Sequence, residues 1–220
     1  MRAGDLISDE IPTLNGSDNA LLAMQLLDEY KMKHLPVVEN NQFLGLLSDT
    51  RVMEIENFEA PLSTIADSLM KVYVKEEQHV YDVVNIAAEF QLSAIPVLDK
   101  DLKYSGVISI YCLVRELSKI AAMKEHGGIL VLEINQNDYS LSEIAQIVES
   151  NDARILSANV TSVPDSMKME ITLKINRNNM DAVLQTFARY EYQVAASFHQ
   201  STYDGVIQSR FDELMRYLNI

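Results

Sequence analysis

The feature that most constrains this chain is an internal duplication. Residues 11–38 read IPTLNGSDNALLAMQLLDEYKMKHLPVV and residues 71–98 read KVYVKEEQHVYDVVNIAAEFQLSAIPVL, and the two align without a gap. His34-Leu35-Pro36-Val37-Val38 matches Ala94-Ile95-Pro96-Val97-Leu98, and Gly45-Leu46-Leu47-Ser48 matches Gly106-Val107-Ile108-Ser109 after one extra residue. With only five prolines and seven glycines in the chain, two of each in register argue against coincidence. A repeated segment of this kind folds as two copies of one supersecondary unit, and the copies bury their apolar faces together.

Each copy reads as strand, helix, strand, strand. Asp18 or Ser17 can cap the first helix, whose apolar positions include Ala20, Met24, Leu27 and Tyr30; Val80, Val84, Ala87 and Phe90 are the equivalents. The short β-branched runs around Pro36 and Pro96 read as buried strands. Asn40-Asn41 and Asp99-Lys100-Asp101 supply turn chemistry. Gly45 and Gly106 then admit a close backbone approach or an unusual φ. Each copy ends in an apolar helical stretch, at 52–55 and 113–122.

The remainder reads as β-α-β-β-α-β after a joint at Gly127-Gly128. Strands are expected at 129–134, 155–163, 167–175 and 192–198, the third with Met167, Met169, Ile171, Leu173 and Ile175 on one face. Ser140-Leu141-Ser142-Glu143 has the form of a capping box. The helix it opens carries the stripe Leu141, Ile144, Ile147 and Val148, and Asn178-Asn179 can start a second helix bearing Met180, Val183, Leu184 and Phe187. Val163-Pro164-Asp165-Ser166 is a turn with Pro at its second position. Ile207, Phe211, Leu214 and Leu218 give residues 204–220 the pattern of an amphipathic helix that packs on this chain or on a partner.

Composition narrows the function classes. Hydrophobic residues make up 48% and charged residues 23%, ordinary for a folded domain. The net charge of −14 is shared by both halves and disfavours phosphate backbones, so no nucleic-acid partner is expected. The sequence shows neither a membrane-length apolar run nor a secretory signal at its start, so no membrane partner and a cytoplasmic location are expected. Enzyme motifs are absent: no P-loop, no GxGxxG, no GxSxG. The four histidines (His34, His79, His126, His199) are scattered, and Cys112 reads as a small buried filler.

The xLPVV/xIPVL strand, short polar turn and Gly-apolar-apolar-Ser preceding a helix resemble a CBS repeat, and two in tandem resemble a CBS pair, or Bateman module. The second half resembles an ACT domain by element order and length. The whole arrangement is similar to acetoin-utilisation-type CBS–ACT proteins. The fold class is thus expected to be α/β and α+β. CBS repeats are placed at 1–60 and 61–126, a ferredoxin-like βαββαβ ACT-like domain at 127–201 and a C-terminal helix at 202–220.

The resemblance implies two clefts about a pseudo-twofold axis, which in many family members bind adenosine nucleotides. It places Lys33, His34, Leu35, Pro36, Ser48 and Arg51 in the first cleft and Ile95, Pro96 and Ser109 in the second. Lys33 and His34 occupy positions where family members carry basic side chains facing phosphates; copy two has Ser93 and Ala94. Lys33 also reads as a solvated helix end, and Ser48 and Ser109 read equally as helix caps. An acid commonly follows that Ser by three positions and holds the ribose. Here those positions are Arg51 and Cys112, and neither can accept a pair of ribose hydrogen bonds. ACT domains that bind amino acids have a glycine at the first strand–helix turn, and residues 135–140 have none. The expected function is a non-enzymatic regulatory protein. It requires no cofactor, senses a small ligand of the adenosine-nucleotide class or another anion, with AMP, ADP, ATP and S-adenosylmethionine as the candidate ligands, and forms a homodimer. The competing expectation is a ligand-free dimerisation scaffold.

Overall fold

A computed structural model describes residues 1–120 and 122–198. The expected C-terminal helix lies outside the described residues. The chain forms two compact units that divide between Leu117 and Ser118.

In the first unit, β1 (Leu14–Asn15), α1 (Ala20–Glu29), β2 (His34–Glu39), β3 (Gln42–Ser48) and α2 (Asp49–Met53) form copy one. Copy two contains β4 (Val74–Lys75), α3 (Val80–Glu89), β5 (Ala94–Leu98), β6 (Tyr104–Ser109) and α4 (Ile110–Ile120). Each copy has a three-stranded sheet whose first pair is parallel and second antiparallel, and both antiparallel pairs carry a register shift at the same place, after Val37 and after Val97. The β2–β3 loop is the two residues Asn40 and Asn41, both at positive φ (50° and 65°), as a type I′ hairpin turn requires. In the longer β5–β6 loop the Asp99 carboxylate instead accepts the Asp101 and Lys103 amides at 2.8 and 2.9 Å.

The helix stripes differ by one position from those expected. The buried residues are Ala20, Ala23 and Leu27 in α1 and Val80, Val83 and Ala87 in α3. Met24, Tyr30 and Phe90, expected inside, are exposed at the surface, and Val84 is only partly buried. Both helices stop after ten residues, so Tyr30 and Phe90 fall on the caps. The α1 cap is Asn19, whose side chain accepts the Leu22 amide at 3.0 Å; Asp18 instead accepts the Asn15 amide at 2.7 Å. Asn19→Ala should cost the first unit about 1 kcal/mol, while Ser17→Ala leaves helix α1 capped; urea unfolding followed by circular dichroism measures both.

The copies exchange their leading segments. The 3-10 turn Ala3–Leu6 precedes copy one, yet Ala3 and Leu6 are buried in the core of copy two with Val74, Val80, Ile95 and Ile108. The 3-10 turn Leu62–Ser68 precedes copy two, yet Leu62 and Leu69 belong to the core of copy one with Leu14, Leu35 and Leu47. Main-chain hydrogen bonds fix the exchange: Leu46 and Met70 pair through both amides (2.8 and 3.2 Å), and Ser8 donates to Val107 (3.1 Å). Between the sheets, Phe43 stacks on Tyr104, its equivalent residue, with ring centroids 6.5 Å apart.

The second unit contains β7 (Gly128–Asn135), α5 (Leu141–Glu149), β8 (Ile155–Ser162), β9 (Lys168–Ile175), α6 (Asp181–Arg189) and β10 (Gln193–Phe198). Its sheet order is β10-β7-β9-β8, antiparallel throughout, which is the ferredoxin-like split βαβ. Ile144, Ile147, Val148, Val183 and Phe187 of the helices pack on Leu130, Leu132, Ile171, Leu173 and Ile175 of the sheet. Met167, expected to face inward, precedes β9 and is exposed, and Leu141, expected on the apolar stripe of α5, is its first residue and is also exposed. Asp165 follows Pro164 at φ 56°, as a type II turn needs. Only one arm of the expected capping box forms. Ser140 accepts the Glu143 amide at 3.3 Å, but the Glu143 carboxylate accepts the Tyr192 hydroxyl at 2.7 Å instead of returning to Ser140. Gly127 packs on the Ile175 carbonyl, inside the second unit. Among the described residues no helix is long and apolar enough to cross a membrane.

Candidate functional site

The residues singled out in copy one gather where β2 and β3 meet α2. Strand pairing sets His34 opposite Ser48 and Pro36 opposite Leu46. Ser48 caps α2: its hydroxyl accepts the Arg51 amide at 3.1 Å and lies 2.9 Å from the Thr50 hydroxyl. Arg51, one turn on, donates through one terminal nitrogen to Glu54 (2.8 Å) and through the other to Ser68 (3.1 Å). Ser68 comes from the leading segment of copy two, so the guanidinium bridges the copies. Its Nε is buried and has no acceptor.

His34 packs against copy two. It is 8% exposed, and its Nδ1 accepts the Ser93 amide at 3.3 Å. The Ser93 hydroxyl accepts the amides of Lys33 and His34 at 3.0 Å each and lies 3.4 Å from Nδ1. This pattern assigns the neutral tautomer with its proton on Nε2. Burial, the largest influence, holds the pKa below the ordinary 6.5, against an upward pull from Asp49 and with a smaller downward push from Lys33. The ring therefore offers no charge to a phosphate at neutral pH. Lys33 is exposed, and its carbonyl accepts the Asp49 amide at 2.9 Å.

Leu35 and Ile95 are fully buried in the two cores, and Pro36 and Pro96 are buried within their strands. In copy two, Ser109 is buried and its hydroxyl accepts the Cys112 amide at 2.9 Å, repeating the Ser48 cap. The Cys112 sulfur lies 3.7 Å from the Leu6 carbonyl and 3.3 Å from an Arg115 nitrogen. Cys112 thus fills, with an apolar atom, the place that Arg51 fills with a charge. Both positions touch the leading segment of the opposite copy.

Ser68 and Ser93 were not anticipated in the sequence. Ser93 carried a signal, because the repeat alignment sets it opposite Lys33; Ser68 lies in a segment without helical or strand periodicity and carried none. The second unit has a separate concavity of about 350 Å³ at the β7–α5 turn, lined by Glu133, Asn135, Asp138, Glu143, Lys168 and Tyr192. Lys168 pairs with Glu133 at 2.5 Å there. Burial, and then Glu143, hold the Tyr192 hydroxyl well above the usual phenol range. Among the described residues no group of three or more His, Cys, Asp or Glu is placed to hold a metal ion.

The sequence profile of the CBS domain matches residues 3–57 and 66–119. Inosine-5'-monophosphate dehydrogenase from Aquifex aeolicus is 24% identical over 133 residues, 58% of this chain and 27% of that enzyme. The chain spans about a quarter of the length of the curated relatives it matches. Among solved structures, a CBS domain pair/ACT domain protein from Thermotoga maritima superposes with a TM-score of 0.48 at 16% identity, over 54% of this chain and 98% of that one. CBSX2 in complex with AMP superposes with a TM-score of 0.46 at 21% identity, over 54% and 97%. Two matched profiles, one per copy, on a duplicated fold with exchanged leading segments establish the family: the chain carries a tandem pair of CBS domains.

Proposed function

We propose that this CBS pair is a non-enzymatic regulatory module that takes a small anionic ligand, of the adenosine-nucleotide class, at the copy-one site. The observation that carries the reading is the Arg51 guanidinium. It joins α2 of one copy to Ser68 of the other, and its buried Nε–H lacks an acceptor. A buried donor without a partner costs about 1–3 kcal/mol, and a phosphate or ribose oxygen would supply the missing acceptor. Copy two has Cys112 there, which can neither pair with an anion nor hold a ribose. One competent site per chain is therefore the stoichiometry proposed. Because the site spans both copies, occupancy would change how tightly the two are held, as a regulatory signal needs.

A thermal-shift series with AMP, ADP, ATP, S-adenosylmethionine, NADH and the amino acids tests this. A ligand at one hundred times its Kd stabilises the folded chain by about 2.7 kcal/mol. A nucleotide-dependent rise in midpoint that Arg51→Ala abolishes and Cys112→Ala leaves intact is expected. No shift with any nucleotide at millimolar concentration overturns the nucleotide reading.

The second reading is an association scaffold, and one observation favours it. Met53 and Val114 occupy equivalent positions and are 68% and 60% exposed, and Met24 and Met53 line a groove of about 460 Å³ beside α2. Two copies of the chain joined through these faces would bury them. The second unit, whose strand order matches that of an ACT domain, is proposed to oligomerise or to pass on the state of the CBS pair. Sedimentation at several concentrations tests the homodimer; a monomer at all of them excludes the scaffold.

A further inference from the structure

We infer that His34 and Ser93 form a pH-sensitive latch between the two CBS domains, closed while the imidazole is neutral and released when it takes up a proton. The inference rests on what surrounds Nδ1. The Ser93 amide points at it from 3.3 Å, and the Ser93 hydroxyl lies 3.4 Å away. Both lone pairs of that hydroxyl are already used by the Lys33 and His34 amides, each at 3.0 Å. The hydroxyl hydrogen is therefore the one group it has left to offer, and it can only donate. A proton on Nδ1 would face one N–H and one O–H. Protonation thus removes the Nδ1 bond to the Ser93 amide and sets two donors against a third, leaving only the two amide bonds to the Ser93 hydroxyl.

The neighbouring charges do not rescue the protonated ring at Nδ1. Asp49, at the start of α2, is the carboxylate that favours the imidazolium, and Lys33, adjacent in the chain, opposes it; their influence is smaller than that of burial. From copy two, the residues at the junction are Ser93 and Ala94, neither of them titratable. The latch is also one-sided. Ala94 stands where His34 stands in copy one, so the duplicated partner has no equivalent ring and the pair does not respond to acid twice. The contact joins residues 59 positions apart and lies between β2 and β5. Its release loosens the seam on which both cores close.

The sign follows from linkage. His34 is held below 6.5 in the folded chain, so the unfolded chain binds the proton more readily. The latch contributes in full above pH 6.5 and weakens as the pH falls from there through the folded pKa. Within that window one proton is taken up on unfolding, so the unfolding constant rises by up to about tenfold per pH unit. The inference does not depend on any nucleotide binding, and the two proposals fail separately.

The test compares the full chain with His34→Asn, which keeps an oxygen acceptor near the Nδ1 position and cannot titrate. Urea unfolding from about pH 7.5 to about pH 5 should show the extra acid sensitivity in the wild type and lose it in His34→Asn. Equal pH slopes for the two overturn the latch. If His34→Asn does not fold, the wild type decides through nuclear magnetic resonance. The His34 ring must titrate below 6.5, and the Ser93 amide proton must shift with the same midpoint. A ring that titrates at or above 6.5, or a Ser93 amide that does not follow it, overturns the proposal.

Discussion

Gly45→Ala is expected to destabilise the first unit by about 3 kcal/mol or more, read as a lower urea midpoint with the slope unchanged. Two separate costs coincide at this position. The backbone is at φ +142°, which a residue with a Cβ rarely adopts, and a Cβ there would lie 2.5 Å from the Leu69 Cβ. Neither can relax easily. Leu69 is buried in the copy-one core, and the adjacent Leu46–Met70 main-chain pair holds the strand against the incoming segment. Gly106→Ala tests the same physics in copy two: φ is +156° and the new Cβ would lie 2.3 Å from Cγ2 of Ile7. Because Ile7 is β-branched and stiff at χ1, the clash cannot be relieved by a simple rotamer change. The two substitutions should cost similar amounts, since both block the docking of a leading segment onto the opposite copy. If Gly45→Ala unfolds at the wild-type midpoint, the exchange of leading segments is not what holds the pair together.

Phe187→Ala should cost about 3–5 kcal/mol, the largest single loss expected in the second unit. Phe187 is fully buried on α6 and meets Tyr192 edge-on, with centroids 5.5 Å apart. Its ring packs in the one core that joins both helices to the sheet, with Ile144, Val148 and Val183 around it. The cavity left by truncation adds to the lost transfer energy because these β-branched neighbours cannot collapse into it. The same substitution loosens Tyr192, whose hydroxyl holds Glu143 at the first turn of α5. Near-ultraviolet circular dichroism together with urea unfolding measures the effect; a loss below about 1 kcal/mol would mean that this core is not packed as described.

Much of the local structure was legible in the sequence. The in-register Pro36/Pro96 and Gly45/Gly106 located the strands, because proline and glycine constrain the backbone directly. The Asn40-Asn41 turn and the Ser48 and Ser109 caps follow from side chains that bond their own backbone neighbours. Errors arose where a local rule had near-equivalent solutions. Ser17, Asp18 and Asn19 are all competent caps, and only the path of β1 decides that Asp18 serves the turn and Asn19 the helix. The stripe of α1 fits Ala23 as well as Met24, and the sheet selects the smaller residue.

The candidate site was less legible. That Lys33, His34 and Arg51 have no basic counterparts in copy two is visible in the alignment. What becomes of their charges is not. His34 is kept neutral by its burial and bonds a serine from copy two, Arg51 is tied to a serine from the segment preceding copy two, and Lys33 stays in solvent. Each outcome depends on a neighbour far away in the chain or on its absence, and periodicity carries information only over a few turns.

The sequence by itself determined that the chain holds two copies of one strand–helix–strand–strand unit, and where the turns between those strands fall. These are consequences of backbone stereochemistry and of apolar spacing, which act among near neighbours. Only the tertiary structure decided that each copy is completed by the leading segment of the other and that Arg51 reaches Ser68. The physical reason is the same in each case: a buried apolar face or an unpaired polar group must be satisfied by whatever the fold brings to it, from 17 residues away for Arg51 and Ser68 and from 59 for His34 and Ser93.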